Sequence, residues 1–141
     1  MKYKQYSGVL IRFEDKVLLC KRNAYESLPG EWSVPCGHQE PNEDKLTCAV
    51  RELYEETMIE VSPGDLSYIG GIKRYNRDTT KLKGVMSLFL YDVNEEVLPD
   101  LDNAPDGEEH TDCGYFTVDN LPNPLGNEMK EIILTVLSVR K

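Results

Sequence analysis

Residues 37–59, G-H-Q-E-P-N-E-D-K-L-T-C-A-V-R-E-L-Y-E-E-T-M-I, constrain the fold of this chain more than any other stretch. Asn42 can cap a helix start by accepting a bond from its free N–H groups, and Glu43 and Asp44 suit the positive end of the helix dipole. Leu46, Ala49, Val50 and Leu53 then fall at i, i+3, i+4 and i+7, a single apolar stripe. At about 100° per residue, Glu52, Glu55 and Glu56 share a second face, centred roughly 120° from that stripe. An acidic helix face is ordinarily solvated. Three carboxylates crowded within roughly 100° repel one another, and a divalent cation would supply the missing charge.

The spacing resembles the signature of the Nudix hydrolase family: Gly, five residues, Glu, seven residues, then Arg-Glu-apolar-x-Glu-Glu-x-Gly-apolar. Gly37, Glu43, Arg51, Glu52, Leu53, Glu55, Glu56 and Ile59 match it, and W-S-V-P-C-G at 32–37 looks like the strand that leads into the box. Cys36 and Asn42 stand where many relatives carry further glycines, and Met58 stands where the family has glycine. Glycine there can take the left-handed conformation that ends a helix. Methionine therefore predicts either a helix running on towards Glu60 or a strained residue.

At 141 residues, with 40% hydrophobic and 29% charged residues, the chain is expected to form one domain over 1–141 with a real core. No apolar run approaches membrane-spanning length and the N-terminus holds no signal core, so a cytoplasmic address is expected. The net charge of −9 disfavours nucleic acid as a partner, whereas a small phosphate ligand stays compatible if metal and a few cations invert the sign locally. Cys20, Cys36, Cys48 and Cys113 form no C-x-x-C pair and read as buried or idle thiols in a reducing compartment. Cys36, His38, His110 and Cys113 have zinc-ligand chemistry, but neither C-x-H nor H-x-x-C is a strong zinc spacing.

Along the chain, residues 6–13 and 17–22 read as a hairpin around the polar turn Glu14-Asp15-Lys16. Lys21 and Arg22 end its second strand, as solvated residues or as phosphate contacts; the resemblance favours the latter. Residues 23–31 form a loop, and Trp32 reads as a core or rim aromatic ahead of a base-stacking platform. A turn at 62–65 precedes strands at 66–75 and 84–93, which flank a polar loop carrying Arg77, Lys81 and Lys83. Residues 94–107 read as a mobile acidic surface loop, 115–118 as a short strand, and 127–139 as a closing helix with Met129, Ile132, Ile133 and Val136 on one face. Strands and helices interleaved in this way predict a mixed sheet flanked by two helices. The resemblance implies the same α/β/α sandwich.

The resemblance further implies a phosphoanhydride hydrolase acting on a nucleoside diphosphate linked to another moiety. Magnesium suits the all-oxygen cluster, with manganese as a substitute. Glu55, Glu56 and the Gly37 carbonyl would hold it, Glu52 would ligate it or act as base, and Arg51 would pair with Glu55 at i, i+4. Glu43 looks structural. Outside the box, G-E-E-H-T-D-C-G-Y-F at 107–116 resembles a family loop that brings one more acid or base to the reacting water. Glu109 is the first candidate, as metal ligand or base, and His110 the second, with Glu108 facing solvent on an extended segment. Some relatives bind nucleotides without cleaving them, as sensors or scaffolds, but those often lose the acidic quartet that is intact here. The proline of the family's ADP-ribose subclass is replaced here by Tyr75 in that neighbourhood. The expected partner is a nucleotide-sized molecule, with a homodimer left open.

Overall fold

The computed structural model describes residues 4–23, 30–75 and 81–138. Seven strands form one mixed sheet: β1 (Lys4–Phe13), β2 (Lys16–Arg22), β3 (Trp32–Ser33), β4 (Cys36–His38), β5 (Ser67–Tyr75), β6 (Leu82–Val93) and β7 (His110–Phe116). The main order is β3-β2-β1-β6-β5, with β4 on β1 and β7 on β2. Only β1 and β6 run parallel, in unbroken register from Lys4–Gly84 to Phe13–Val93; the other pairs are antiparallel.

Alternation along β1 sorts its side chains between two cores. Val9 and Ile11 face helix α1 (Lys45–Thr57) and pack with Leu18, Ala49, Leu53 and Phe89. Leu10 faces helix α2 (Asn127–Ser138) and packs with Val17, Leu19, Leu88, Met129 and Ile133. Each fully buried aliphatic side chain contributes about 1.5–3 kcal/mol, so both faces of the sheet need a helix. The α/β/α sandwich expected from the sequence is the observed fold. Trp32 is partly buried, edge-on to Phe116 at 5.2 Å, as a rim aromatic. No described helix is long and apolar enough to cross a membrane.

Several local expectations are corrected. The N-cap of α1 is Asp44, whose carboxylate accepts from Thr47 N at 2.7 Å, while Asn42 takes a left-handed turn conformation (φ 66°) just before it. Val50 joins neither core; Cys48, Glu52 and Glu56 are buried instead, so two acids of that face lie inside the protein while Glu55 stays partly exposed. The last strand starts at His110, five residues earlier than expected, because β2 supplies it with a partner throughout. Cys20 and Cys113 sit opposite each other in that pairing and form a disulfide, which corrects the reading of four idle thiols; Cys36 and Cys48 are free and buried. Most of the 23–31 and 76–83 loops lies outside the described residues.

The acidic stretch 94–107 is anchored where mobility was expected. Asp100 N donates to Thr57 O at 2.9 Å and Asp106 N donates to Glu55 O at 2.6 Å, so this segment caps the C-terminal carbonyls of α1. Met58 ends the helix at φ 67°, ψ 6°, donating its N–H to Tyr54 O. The strained alternative holds and the longer helix does not. Met58 is 36% exposed, so removing its side chain forfeits little burial. Met58→Gly is expected to stabilise the fold by about 0.5–1 kcal/mol, read from urea unfolding. A destabilised variant would mean that Met58 packing outweighs its backbone strain.

Candidate active site

β1 changes partners along its length: Arg12 and Phe13 pair with β2, whereas Tyr6 to Gly8 pair with β4. Between these two pairings β4 and the β2–β7 pair diverge, and the C-terminal half of α1 reaches both. Glu56 bridges them. Its Oε1 accepts from Cys36 N at 3.4 Å on β4 and lies 2.6 Å from His110 Nε2 on β7. Glu56 is 1% exposed and His110 5%. Its second oxygen, Oε2, is buried without a hydrogen-bond partner among the described residues.

Electrostatics follow from that burial. Desolvation first, and then the Cys36 thiol and the Glu52 and Glu109 carboxylates, push Glu56 well above the usual carboxylate range. Burial, with the Arg22 guanidinium nearby, pulls His110 down to about 4. Without a cation both groups favour their neutral forms, a carboxylic acid donating to an imidazole nitrogen.

The other carboxylates of the helix are held by Arg51. Its Nε and Nη2 donate to Glu43 at 2.7 and 2.9 Å, and its Nη1 donates to both Glu52 and Glu55 at 2.9 Å. The expected i, i+4 pair with Glu55 is present, and Glu43 is the fork's bidentate partner. Arg51 Nη2 also donates to His38 O, tying α1 to β4. Gly37 packs against the Glu52 carboxyl so closely that a Cβ at 37 would overlap it. A side chain at 37 would have to push the Glu52 carboxyl away from its place beside Arg51.

Four carboxylates around one guanidinium, those of Glu40, Glu43, Glu52 and Glu55, leave negative charge uncompensated, and Glu56 Oε2 leaves a buried acceptor unused. No set of three or more His, Cys, Asp or Glu side chains among the described residues converges on one point as placed, because Arg51 and His110 hold the acids. The donor set still fits a hard divalent cation: all-oxygen, acidic, and with one oxygen of Glu56 already fixed by two hydrogen bonds. Of the zinc-type candidates, Cys113 is in the disulfide, Cys36 and His110 border Glu56, and His38 packs on Tyr6 at 4.5 Å.

Outside the box, Gly107–Glu109 is a short 3-10 turn, not an extended segment. Glu108 is exposed as expected, and its carbonyl accepts from Asn23 Nδ2 at 2.8 Å. Glu109 is partly buried and near enough for its charge to act on Glu56, but His110, the second candidate, makes the direct contact. Arg22 lies close enough to act on His110, Glu31 and Tyr6, whereas Lys21 sits in register between Trp32 and Asp112. Arg74 was not singled out from the sequence. It lies 5.0 Å over the Tyr6 ring and donates to Cys36 Sγ at 3.5 Å. A lone basic residue near a strand end carries no sequence signal of such a contact.

The Arg51 cluster has a consequence for acid stability. Its hydrogen bonds to Arg51 hold Glu43 at about 2, below the ordinary 4.5. A depressed carboxylate stabilises the fold above its unfolded value and loses that contribution as pH falls towards the folded value. Glu43→Gln is therefore expected to lower stability by about 1–2 kcal/mol at pH 7, with the gap closing between about pH 4.5 and pH 2. Urea unfolding at pH 7 and pH 3 checks this. A gap that does not narrow removes the Glu43 carboxylate as its origin.

A mixed sheet between two helices, with buried carboxylates on one helix facing the strand that carries Gly37, defines the α/β class of the protein. The chain belongs to the Nudix family: the family model described as NUDIX domain matches residues 2–136. It is similar to the diphosphoinositol polyphosphate phosphohydrolase NUDT4B of Homo sapiens, 36% identical over 83 residues, covering 59% of this chain and 42% of that protein. It is also similar to the NAD-capped RNA hydrolase NudC of Vibrio vulnificus, 31% identical over 135 residues, covering 94% of this chain and 46% of that protein. The chain thus spans less than half the length of these relatives. The crystal structure of a MutT NUDIX hydrolase from Burkholderia pseudomallei superposes with a TM-score of 0.79 at 20% identity, covering 96% of this chain and 99% of that one. At that identity the likeness shows the fold.

Proposed function

We propose that the protein hydrolyses a phosphoanhydride in a nucleoside diphosphate linked to another moiety. The observation that supports this most is Glu56, buried beside Gly37 and Glu52 with one carboxyl oxygen fixed and the other unpartnered. Glu52, Glu55, Glu56 and the Gly37 carbonyl would hold magnesium, or manganese in its place. Bound there, the cation would neutralise the anhydride oxygens and acidify a water.

The chain's own groups do the rest. Arg51 holds Glu52 and Glu55, two of the carboxylates that would ligate the cation. His110 Nε2–H donates to Glu56 Oε1 once that carboxyl is ionised, fixing its orientation. Glu52 or Glu109 takes the proton of the attacking water, whose oxygen bonds to phosphorus as the bridging P–O bond breaks. Arg22 and Lys21 at the end of β2 contact the substrate phosphates. Two phosphorylated products leave, and no covalent intermediate is needed.

The names of the relatives point to phosphoanhydrides in different settings, a diphosphoinositol polyphosphate and a NAD-capped RNA. The test is a chromatographic screen of nucleoside triphosphates, dinucleoside polyphosphates, ADP-ribose and nucleotide sugars with magnesium, run in 18O water. Cleavage into two phosphorylated products, one carrying 18O, is the expected result. Tight nucleotide binding with no turnover on any of them would make the protein a sensor or scaffold instead.

A further inference from the structure

On the face of the sheet opposite α1, three strands bring cations together. Lys4 on β1 and Arg74 on β5 are both in register with Gly84 on β6, so their side chains flank one glycine on one face. A Cβ at 84 would overlap the Lys4 carbonyl oxygen and come within 2.8 Å of Tyr6 Cε2, so the glycine leaves room for the Tyr6 ring beside this spot. Arg74 covers the ring from above at 5.0 Å. The β5–β6 register slips between Arg74 and Tyr75, which leaves Lys83 as the extra residue of a bulge beside Gly84. A bulge re-aims the side chain it carries. Lys83 accordingly acts on the same groups as Lys4 and Arg74, all three lowering His38 by charge.

None of the ion pairs among the described residues takes in Lys4, Arg74 or Lys83. Among the described residues Glu31 is near enough for Arg74 and Arg22 to act on it. Tyr6, 5% exposed, has its hydroxyl buried with no hydrogen-bond partner among the described residues. Cations gathered against mutual repulsion, in a chain of net charge −9, need an anion. Tyr6 is already stacked beneath Arg74, so the group left to present outward is a guanidinium fork, which matches a phosphate.

We propose that Lys4, Arg74 and Lys83, on the Tyr6–Gly84 platform, bind a phosphate group beyond the two joined by the cleaved anhydride. This rests on the hydrolase reading and narrows it to substrates carrying at least three phosphates. The site adjoins the hydrolytic one through Cys36, whose Sγ accepts from Arg74 and whose N–H donates to Glu56.

The test compares kcat/KM for a dinucleoside tetraphosphate with that for ADP-ribose, whose two phosphates are both in the scissile linkage. Wild type is expected to favour the tetraphosphate. In Arg74→Gln that preference should fall by about tenfold or more, as one charge-assisted phosphate contact is lost. Lys83→Gln, on a different strand, should shift it the same way, while Lys130→Gln, at an exposed position of α2, serves as the control for net charge. Calorimetry with inorganic tripolyphosphate and no metal reads the platform independently of catalysis, and Arg74→Gln should weaken binding about tenfold.

Hydrolysis with an unchanged preference in both variants overturns the platform and leaves the hydrolase reading intact. Arg74-dependent tripolyphosphate binding in a protein that cleaves nothing overturns the hydrolase reading and leaves the platform as an anion site. Weaker tripolyphosphate binding with an unchanged preference makes it an adventitious anion site, and the proposal falls.

Discussion

Glu56→Gln is expected to fold like the parent chain and to lose more than about 100-fold in turnover. The substitution keeps the shape of a side chain buried between Cys36 and His110, and an amide NH2 can still donate to the imidazole, giving up only the long 3.4 Å bond from Cys36 N. Burial already disfavours the ionised acid in the absence of a cation, so the neutral replacement relieves a strain more than it adds one. The midpoint of thermal unfolding should therefore stay level or rise. What disappears is the unpartnered Oε2 as an anionic donor. Calorimetry with magnesium should show weakened binding in parallel with the lost turnover. A folded Glu56→Gln protein with full turnover would falsify the assignment of Glu56 to the chemistry.

The second large effect lies outside the box. Gly107 packs so closely on Leu101 that a Cβ would overlap the Leu101 carbonyl oxygen, which is backbone and has no rotamer to escape into. Gly107→Ala should destabilise the fold by about 3 kcal/mol and lower the unfolding midpoint by about 10 °C. The damage should also reach the site, because this segment caps α1 through Asp106 N on Glu55 O and leads straight into His110. Turnover measured well below the unfolding midpoint is expected to fall as well, with KM for magnesium raised. A variant with parental stability would show that the segment gives way freely. Normal turnover in a destabilised variant would show that the capped helix end does not position Glu56.

The helix with its acids, the two-sided sheet and the closing helix were legible because each rests on local periodicity. Leu46, Ala49 and Leu53 must share a face whatever the rest of the chain does, and so must Glu52, Glu55 and Glu56. The same reading paired Arg51 with Glu55, which follows from spacing on one helix, whereas the bidentate contact of Arg51 with Glu43 joins the helix to the turn before it. It placed the cap at Asn42 because several capping residues stand in a row, and only the backbone turn selects Asp44 among them.

What the tertiary structure decided are contacts between residues far apart in the chain. His110 meets Glu56 across 54 positions, and Arg74 meets Cys36 across 38. Periodicity places the acids on a face, but it does not say whether that face meets water or the protein. The divergence of β4 from β2 and β7 buries it and turns Glu56 into a group with one oxygen fixed and one unpartnered. Met58 marks the boundary between the two kinds of knowledge. Its departure from the family pattern was readable, but two backbone outcomes were open. The anchored 94–107 segment, which takes the helix's last carbonyls, accompanies the end at residue 58, and the left-handed conformation is the one observed there. Local sequence sets which conformations are inexpensive, and long-range hydrogen bonds choose among them.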